Sequence, residues 1–339
     1  MAAYFLSRVQ RLLFSMVLAS AVLTAYSQGV QRGPLVVRFS HVVSDDTPKG
    51  QMALQFKKLV ERRSQGRIRV DVYPDSQLYG DDDEMEALRL GAVELLAPSL
   101  SKFGNAGIPE MEVFDLPFLF DNLAQVRTVT QGAVGQRLLR RLDLQQMTGL
   151  GFLDSGFKQF SAGKPLRTVG DFAGQRIRVQ SSQVLVAQMR ALGAQPVVLP
   201  FDEMRRGLAA GVVSGAENTL SNFLTQRLGR IQSDVTLTRH GYLGYAVVSN
   251  QRFWQSLSVP DAALLRQAMN EALVQGNDLA AGLDSQALEQ LRRISSVHVH
   301  ALTSGERTAL RAAVQPVYGA FRQRVGAGLL RDIEAVLAP

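Results

Sequence analysis

The side chains of this chain that could do chemistry are mostly cations and neutral hydrogen-bond donors. His41, Lys49, Ser99, Lys102, Lys158, Arg178, Asn218 and His240 each fall at the end of an expected strand or in the loop just beyond it. Arg178 is the centre of the set. It sits in Gly174-Gln-Arg-Ile-Arg178-Val-Gln-Ser-Ser182, which reads as a turn, a short strand and a helix start. A guanidinium at the carboxyl end of a strand can grip a carboxylate through two parallel hydrogen bonds. The following helix N-terminus also favours anions. Other chemistries lack their residues. No carboxylate pair is placed for acid–base work, no His–Glu metal spacing occurs, and there is no Gly-x-Ser-x-Gly elbow. Gly135, Gly149, Gly151 and Gly156 do not form a dinucleotide fingerprint. His298 and His300 face one side of a strand but have too few neighbouring donors for a metal site. The chemistry on offer is recognition of an anion, with no catalytic residue, cofactor or metal.

The elements that position these residues follow from periodicity. Arg176-Ile-Arg178-Val179 alternates polar and apolar, and Ser181 or Ser182 caps a helix carrying Val184, Leu185, Met189 and Leu192. Upstream, 35–42 reads as a buried strand, Met52, Phe56 and Leu59 mark a helix, and 67–73 is an alternating strand. Asp81-Asp-Asp-Glu84 is an acidic run where a helix begins. It reads as negative charge on a helix N-terminus, since no spaced Gly and distal Glu complete a calcium loop. Val93–Pro98 is a third strand. Val113-Phe-Asp-Leu-Pro-Phe-Leu-Phe120 is core packing, because its Pro argues against a central strand. A helix is expected around 123–143, a strand at 149–153, a turn at Asp154-Ser-Gly156 and a returning strand at 242–249. From Asp261 to about Ile294 the pattern predicts one long helix able to brace two domains. Thr303-Ser-Gly-Glu306 resembles a capping box.

The fold class is therefore α/β, with largely parallel sheets in two lobes and a ligand cleft between them. Residues 33–155 plus 244–285 are assigned to the first lobe, and 156–243 plus 286–339 to the second, with crossings at about 153–157 and 241–244. At 339 residues the chain has room for both. Its 37 Lys and Arg against 30 Asp and Glu leave a scattered +7, not the clustered stripe of a nucleic-acid surface. The absence of cysteine excludes disulfides and thiolate metal sites, and suits export. Arg8 and Arg11 precede an apolar run from Leu12 to Ala25, followed by Ala25-Tyr-Ser27. This is the pattern of a signal peptide over 1–27, cleaved near Ser27; the run is short for a membrane anchor. The mature protein is expected to be periplasmic and monomeric.

From about Val37 to Trp254 the sequence resembles the solute-binding subunit of tripartite ATP-independent periplasmic (TRAP) transporters, in its C4-dicarboxylate branch. The matching pieces occur in order: Phe39-Ser-His-Val-Val with Thr47-Pro-Lys-Gly50, Val72-Tyr-Pro-Asp-Ser-Gln-Leu-Tyr-Gly-Asp81, and Ala97-Pro-Ser-Leu-Ser-Lys-Phe103. Val113–Phe120, Gly156-Phe-Lys-Gln-Phe-Ser161, Gly174–Val179, Gly215-Ala-Glu-Asn-Thr-Leu-Ser-Asn222 and His240-Gly-Tyr-Leu-Gly-Tyr245 follow. The resemblance implies roles. Arg178 matches the arginine that holds a ligand carboxylate, Lys158 a second basic residue and Asn218 the asparagine that closes over the same end. Val42 and Ser99 match contacts of the first lobe, and Phe201 an aromatic wall. His41, Lys49, Lys102, His240 and Tyr242 match possible partners of the other carboxylate. The resemblance also implies a sodium-coupled membrane permease as partner and a small carboxylate such as succinate, malate or fumarate as ligand.

The sequence departs from the branch at three places. Leu153-Asp-Ser155-Gly stands for Trp-Asp-Asn-Gly, Asp202-Glu-Met204-Arg205 for Ser-Glu-Val-Tyr, and Ser214-Gly215 for Asp-Gly. These leave open another acid, such as a 2-oxo acid, pyroglutamate or a sugar acid. Presentation of the closed form to a sensor also stays open.

Overall fold

The computed structural model describes residues 33–338. The expected leader and its cleavage point near Ser27 lie outside them. Among the described residues nine strands form one sheet: β1 (Leu35–Ser40), β2 (Ile68–Tyr73), β3 (Leu95–Leu96), β4 (Met147–Ala162), β5 (Arg176–Val179), β6 (Gln195–Val198), β7 (Gly215–Asn218), β8 (Asp234–Asn250) and β9 (His298–Ala301). Their order is β2-β1-β3-β8-β4-β7-β5-β6, with β9 beside β8. The outer strands pair in parallel, β1 with β3 and β5 with both β6 and β7.

The two long strands correct the expectation of largely parallel sheets. β4 runs antiparallel to β7 and β8, and β8 antiparallel to β3. The carboxyl end of β8 serves the β1–β3 side of the sheet, and the carboxyl end of β4 serves the β5–β7 side. The expected turn at Asp154-Ser-Gly156 is also corrected: β4 passes straight through it. The turn residues make a β-bulge instead, where Asp154 pairs with Gly244 and Gly156 with Leu243. Gly156 takes φ +138°, which a side chain would resist. Asp154 is held flat from three sides, by Arg127 at 2.9 Å, by the Tyr242 hydroxyl at 2.6 Å and, through its N–H, by Asn277 at 2.7 Å. Tertiary partners outweigh local turn chemistry here.

Helices flank both wings of the sheet. α1 (Pro48–Arg63) begins with Thr47, whose side chain accepts from Gly50 N, and with Pro48 in its first turn. Gly50 is required for contact: a β carbon there would lie 2.5 Å from the Ser44 carbonyl oxygen. α2 (Glu84–Leu90) follows the acidic run. The helix expected over 123–143 is two, α3 (Leu123–Gln131) and α4 (Ala133–Arg141), broken at extended Gly132. α5 (Gln183–Ala191) is capped by Ser182. α6 (Phe201–Ala209), α7 (Leu220–Thr225) and α8 (Gln251–Ser256) are short. α9 (Val259–Arg293) is the long helix, packed against α1, β4 and α7. Three more complete the chain: α10 (Ser304–Ala313), with Thr303 and Glu306 in a capping box, α11 (Pro316–Val325) and α12 (Gly328–Leu337). The architecture is two-lobed α/β, with α9 lying along both lobes.

The Val113–Phe120 segment is core, as its composition predicts. Phe114 is tilted against Phe152 and Tyr242 and stacked on Phe120. Each such ring stabilises the fold by about 1.5–3 kcal/mol. A second apolar cluster joins Val42 and Val43 to Phe201, Met204, Leu220 and Phe223. It brings the loop after β1 against α6 and α7.

Candidate ligand-binding site

Among the described residues, four Lys or Arg side chains are buried in the interior: Lys49, Lys102, Lys158 and Arg178. Burying a charge is costly unless a partner compensates it, so their partners decide what they can do. Lys158 is fully compensated. Its Nζ lies 3.0 Å from Glu217 Oε2 and 3.6 Å from Asp115 Oδ1. Burial would raise Glu217, but Lys158 and His240 outweigh it and hold its carboxyl below the usual range. Burial pushes Asp115 up to about 6 against the pull of Lys158. Lys102 is compensated too, by Asp81 Oδ1 at 2.9 Å and Glu84 Oε1 at 2.6 Å. The acidic run that reads as helix dipole chemistry thus supplies two buried carboxylates to a lysine.

Arg178 and Lys49 differ. Among the described residues no carboxylate lies within ion-pair distance of either. Arg178 Nε donates to the Leu199 carbonyl at 2.9 Å, while Nη2 is buried and has no hydrogen-bond partner. Burial lowers its pKa, yet a guanidinium stays protonated. Asp81, Glu217 and Asp202 act on it only at longer range. Lys49, in the first turn of α1, donates to the Ala97 carbonyl at 3.0 Å and lies 3.9 Å above the Tyr245 ring. Burial lowers its pKa to about 8.

A small cavity of about 20 Å³ is lined by Lys49, Ser99, Phe201, Asn218, Val42 and Val43, and also by Asp81, Gln180, Asn222, Leu243 and Tyr245. Five predicted residues, Lys49, Ser99, Phe201, Asn218 and Val42, therefore meet in one place. Asn218 is oriented by its neighbours. Its carbonyl oxygen accepts from Thr219 N and from Asn222 Nδ2, both at 2.9 Å. That leaves its amide N–H group facing only the Met204 sulfur at 4.0 Å. Arg178 is not among the lining residues; Gln180, two positions on and just past the end of β5, is, and the Leu199 carbonyl that Arg178 bonds lies two residues before Phe201. The walls are tied together by Gln180 Nε2 donating to Ser99 Oγ at 2.8 Å and by Phe201 N donating to Asp81 Oδ2 at 3.0 Å. A larger cavity, about 590 Å³ between α4, β4 and α9, contains none of the predicted residues.

The remaining predicted residues lie off the cavity. His41 is buried with both ring nitrogens unpartnered, and burial beside Lys49 pulls its pKa down to about 3. His240 stacks on Phe160 at 3.9 Å, bonds Thr238 at 2.7 Å and faces Glu217 at 3.6 Å, within the Lys158 cluster. Tyr242 points into the aromatic core and donates to Asp154. The expectation that the helix N-terminus after Arg178 faces a ligand meets a resident anion. Buried Glu112 accepts from Ser182 Oγ and Val184 N, both at 3.2 Å, and pairs with Arg324.

Sequence reasoning missed Tyr245, Gln180, Asn222 and Asp81 on the cavity wall. One of these was available from period two, since Gln180 falls two residues after Arg178. Asn222 is one helical turn from Asn218. Of the departures, Arg205 is exposed, whereas Ser155 is buried and its Oγ accepts from the Tyr245 hydroxyl at 3.3 Å.

A two-lobed α/β fold that buries two cations without carboxylate partners, one of them on the wall of a small cavity, is the architecture of a solute-binding protein. The chain belongs to bacterial extracellular solute-binding protein family 7, whose model matches residues 39–324. It is 43% identical over 97% of its length to the C4-dicarboxylate-binding periplasmic protein DctP of Rhodobacter capsulatus, covering 99% of that protein. A TRAP periplasmic solute-binding protein from Shewanella oneidensis, solved with bound succinate, is 40% identical with a TM-score of 0.88, over 90% of this chain and 100% of the other. One from Pseudomonas aeruginosa, with bound L-malate, is 39% identical with a TM-score of 0.82, over 85% and 100%.

Proposed function

We propose that this chain is a periplasmic receptor for a C4-dicarboxylate, which it encloses by lobe closure and delivers to a TRAP membrane permease. The observation that carries the reading is the presence of two buried cations without carboxylate partners, Arg178 and Lys49, of which Lys49 lines the cavity together with Asn218, whose amide N–H group has only the Met204 sulfur at 4.0 Å. A dicarboxylate brings one negative charge to each end and would supply the missing partners. Arg178 and Asn218 take one carboxylate. Lys49 takes the other, with Ser99 and Tyr245 beside it and Val42 and Phe201 against the carbon chain. Lys158 and Lys102 act as internal counter-charges that hold the walls, and His240 packs beside the first of them. The names of the relatives and the ligands of the solved neighbours support the same substrate class.

The energetics are sufficient. A micromolar dissociation constant corresponds to about −8 kcal/mol. Charge-assisted hydrogen bonds contribute about 1.5–3 kcal/mol each, so three or four reach that figure after ordering costs. Closure pivots on the bulge at Asp154–Gly156 and its partners Leu243 and Gly244, between lobes 33–155 plus 244–285 and 156–243 plus 286–339. The leader over 1–27 directs export. Calorimetric titration of refolded, ligand-stripped protein tests the reading. Succinate, L-malate and fumarate give micromolar binding, and pyruvate and pyroglutamate give none. Tight binding confined to a monocarboxylate would remove Lys49 from the site.

A further inference from the structure

The long helix brings a carboxylate to the back of this site. Asp284 of α9 accepts a hydrogen bond at Oδ1 from Leu220 N at 3.2 Å, and the Ser221 backbone also bonds to its carboxylate. Leu220 opens α7 directly after Asn218 and Thr219, and Asn222 lies one half-turn further. On its other side Asp284 packs on the bulge of β4. A β carbon at Gly156 would lie 3.5 Å from Asp284 Cγ and 3.6 Å from Thr219 Cγ2. One carboxylate therefore touches the brace, the bulge and the segment that orients the cavity asparagines. Arg239, from β8, is the charged group acting on it, and burial outweighs that charge and the two N–H donors, raising the carboxyl pKa to about 6. No other role is visible for a carboxyl in this position, since Asp284 makes no ion pair among the described residues.

We infer that Asp284 is a positioning residue for ligand binding: from α9 it fixes Leu220 and Ser221, and through them Asn218 and Asn222, against the bulge at Gly156. The inference rests on the cleft being a dicarboxylate site. It couples the brace to the pocket without touching ligand. Ionised Asp284 holds α7 by charge-assisted bonds; protonation weakens them, so binding weakens as pH falls through about 6.

The test is calorimetric titration of fumarate, doubly ionised throughout, into wild type, Asp284→Asn and Asp284→Ala between about pH 5 and 7.5, with thermal melts of each. Asp284→Ala weakens binding about tenfold and Asp284→Asn about three- to fivefold at pH 7.5. The wild-type affinity falls towards pH 5 more steeply than that of Asp284→Asn. Asp115 titrates in the same range in both proteins, so the difference isolates Asp284. If Asp284→Ala melts early, Asp284→Asn decides alone. Equal affinities and equal pH profiles in wild type and Asp284→Asn overturn the inference and leave the cleft reading intact. Failure of wild type to bind any diacid overturns both.

Discussion

Two clusters of buried charge in this protein look alike in sequence and differ in what they can do. Around Lys158 the ammonium meets Glu217 and Asp115, and His240 completes the group. Around Arg178 the guanidinium has one backbone acceptor and a buried nitrogen with no partner. Lys102 and Lys49 repeat the contrast: the first is neutralised by Asp81 and Glu84, the second has only a carbonyl and an aromatic face. A compensated buried charge is part of the scaffold. An uncompensated one carries a desolvation cost that an arriving anion would offset, which is the basis for proposing Arg178 and Lys49 as ligand contacts.

The contrast is sharpest in stability. Lys158→Met leaves Glu217 and Asp115 without their cation, and removal of one partner of a buried pair costs about 3–5 kcal/mol. Thermal or urea unfolding reads this directly. A Lys158→Met protein as stable as wild type would mean the cluster is solvated, and would erase the distinction.

Lys49→Met removes an uncompensated charge, so its effect falls on affinity. Succinate binding weakens by about tenfold or more, with little loss of stability. The wild-type profile carries the same signature. The ammonium is charged below its pKa of about 8 and is lost above it. Affinity is therefore full at pH 7 and declines by up to about tenfold per pH unit beyond 8. Lys49→Met does not show this alkaline decline. A profile unchanged by the substitution would place the second carboxylate elsewhere.

A smaller effect comes from His41, buried uncharged with its pKa pulled down to about 3. The unfolded chain binds a proton near pH 6.5 that the folded protein refuses. Its contribution is fully present above 6.5 and is lost as pH falls towards 3, at up to about 1.4 kcal/mol per unit. His240, lowered by burial, acts with the same sign. Urea unfolding of His41→Asn at pH 7 and pH 5 shows a shallower acid loss than wild type; equal slopes would mean that His41 ionises in the fold.

Much of the fold is legible in the sequence. The α9 helix, the caps at Ser182 and Thr303, and the buried Val113–Phe120 segment follow from periodicity and turn chemistry. The continuous β4 was not, because Asp154-Ser-Gly156 carries turn residues and becomes a bulge only through Arg127, Tyr242 and Asn277. Of the predicted residues that meet at the cavity, Lys49, Ser99 and Asn218 follow from their places at strand ends, and Val42 and Phe201 from the resemblance alone. Which cations were free was beyond a linear reading, since Lys102 and Lys158 are neutralised by carboxylates 18 to 59 positions away. Tyr242 was named where Tyr245 lines the cavity because a strand's two faces were not separated. Glu112 at the α5 N-terminus had no sequence signal, as its partner segments lie 70 and 212 positions away.

The most direct measurement pairs calorimetry with unfolding on Arg178→Met. Succinate binding falls by about a hundredfold or more, because at least two charge-assisted bonds go with the guanidinium. Stability stays within about 1 kcal/mol of wild type, since no carboxylate is left without its cation. Affinity within a few fold of wild type, with stability lost instead, would make Arg178 a structural charge and contradict the account.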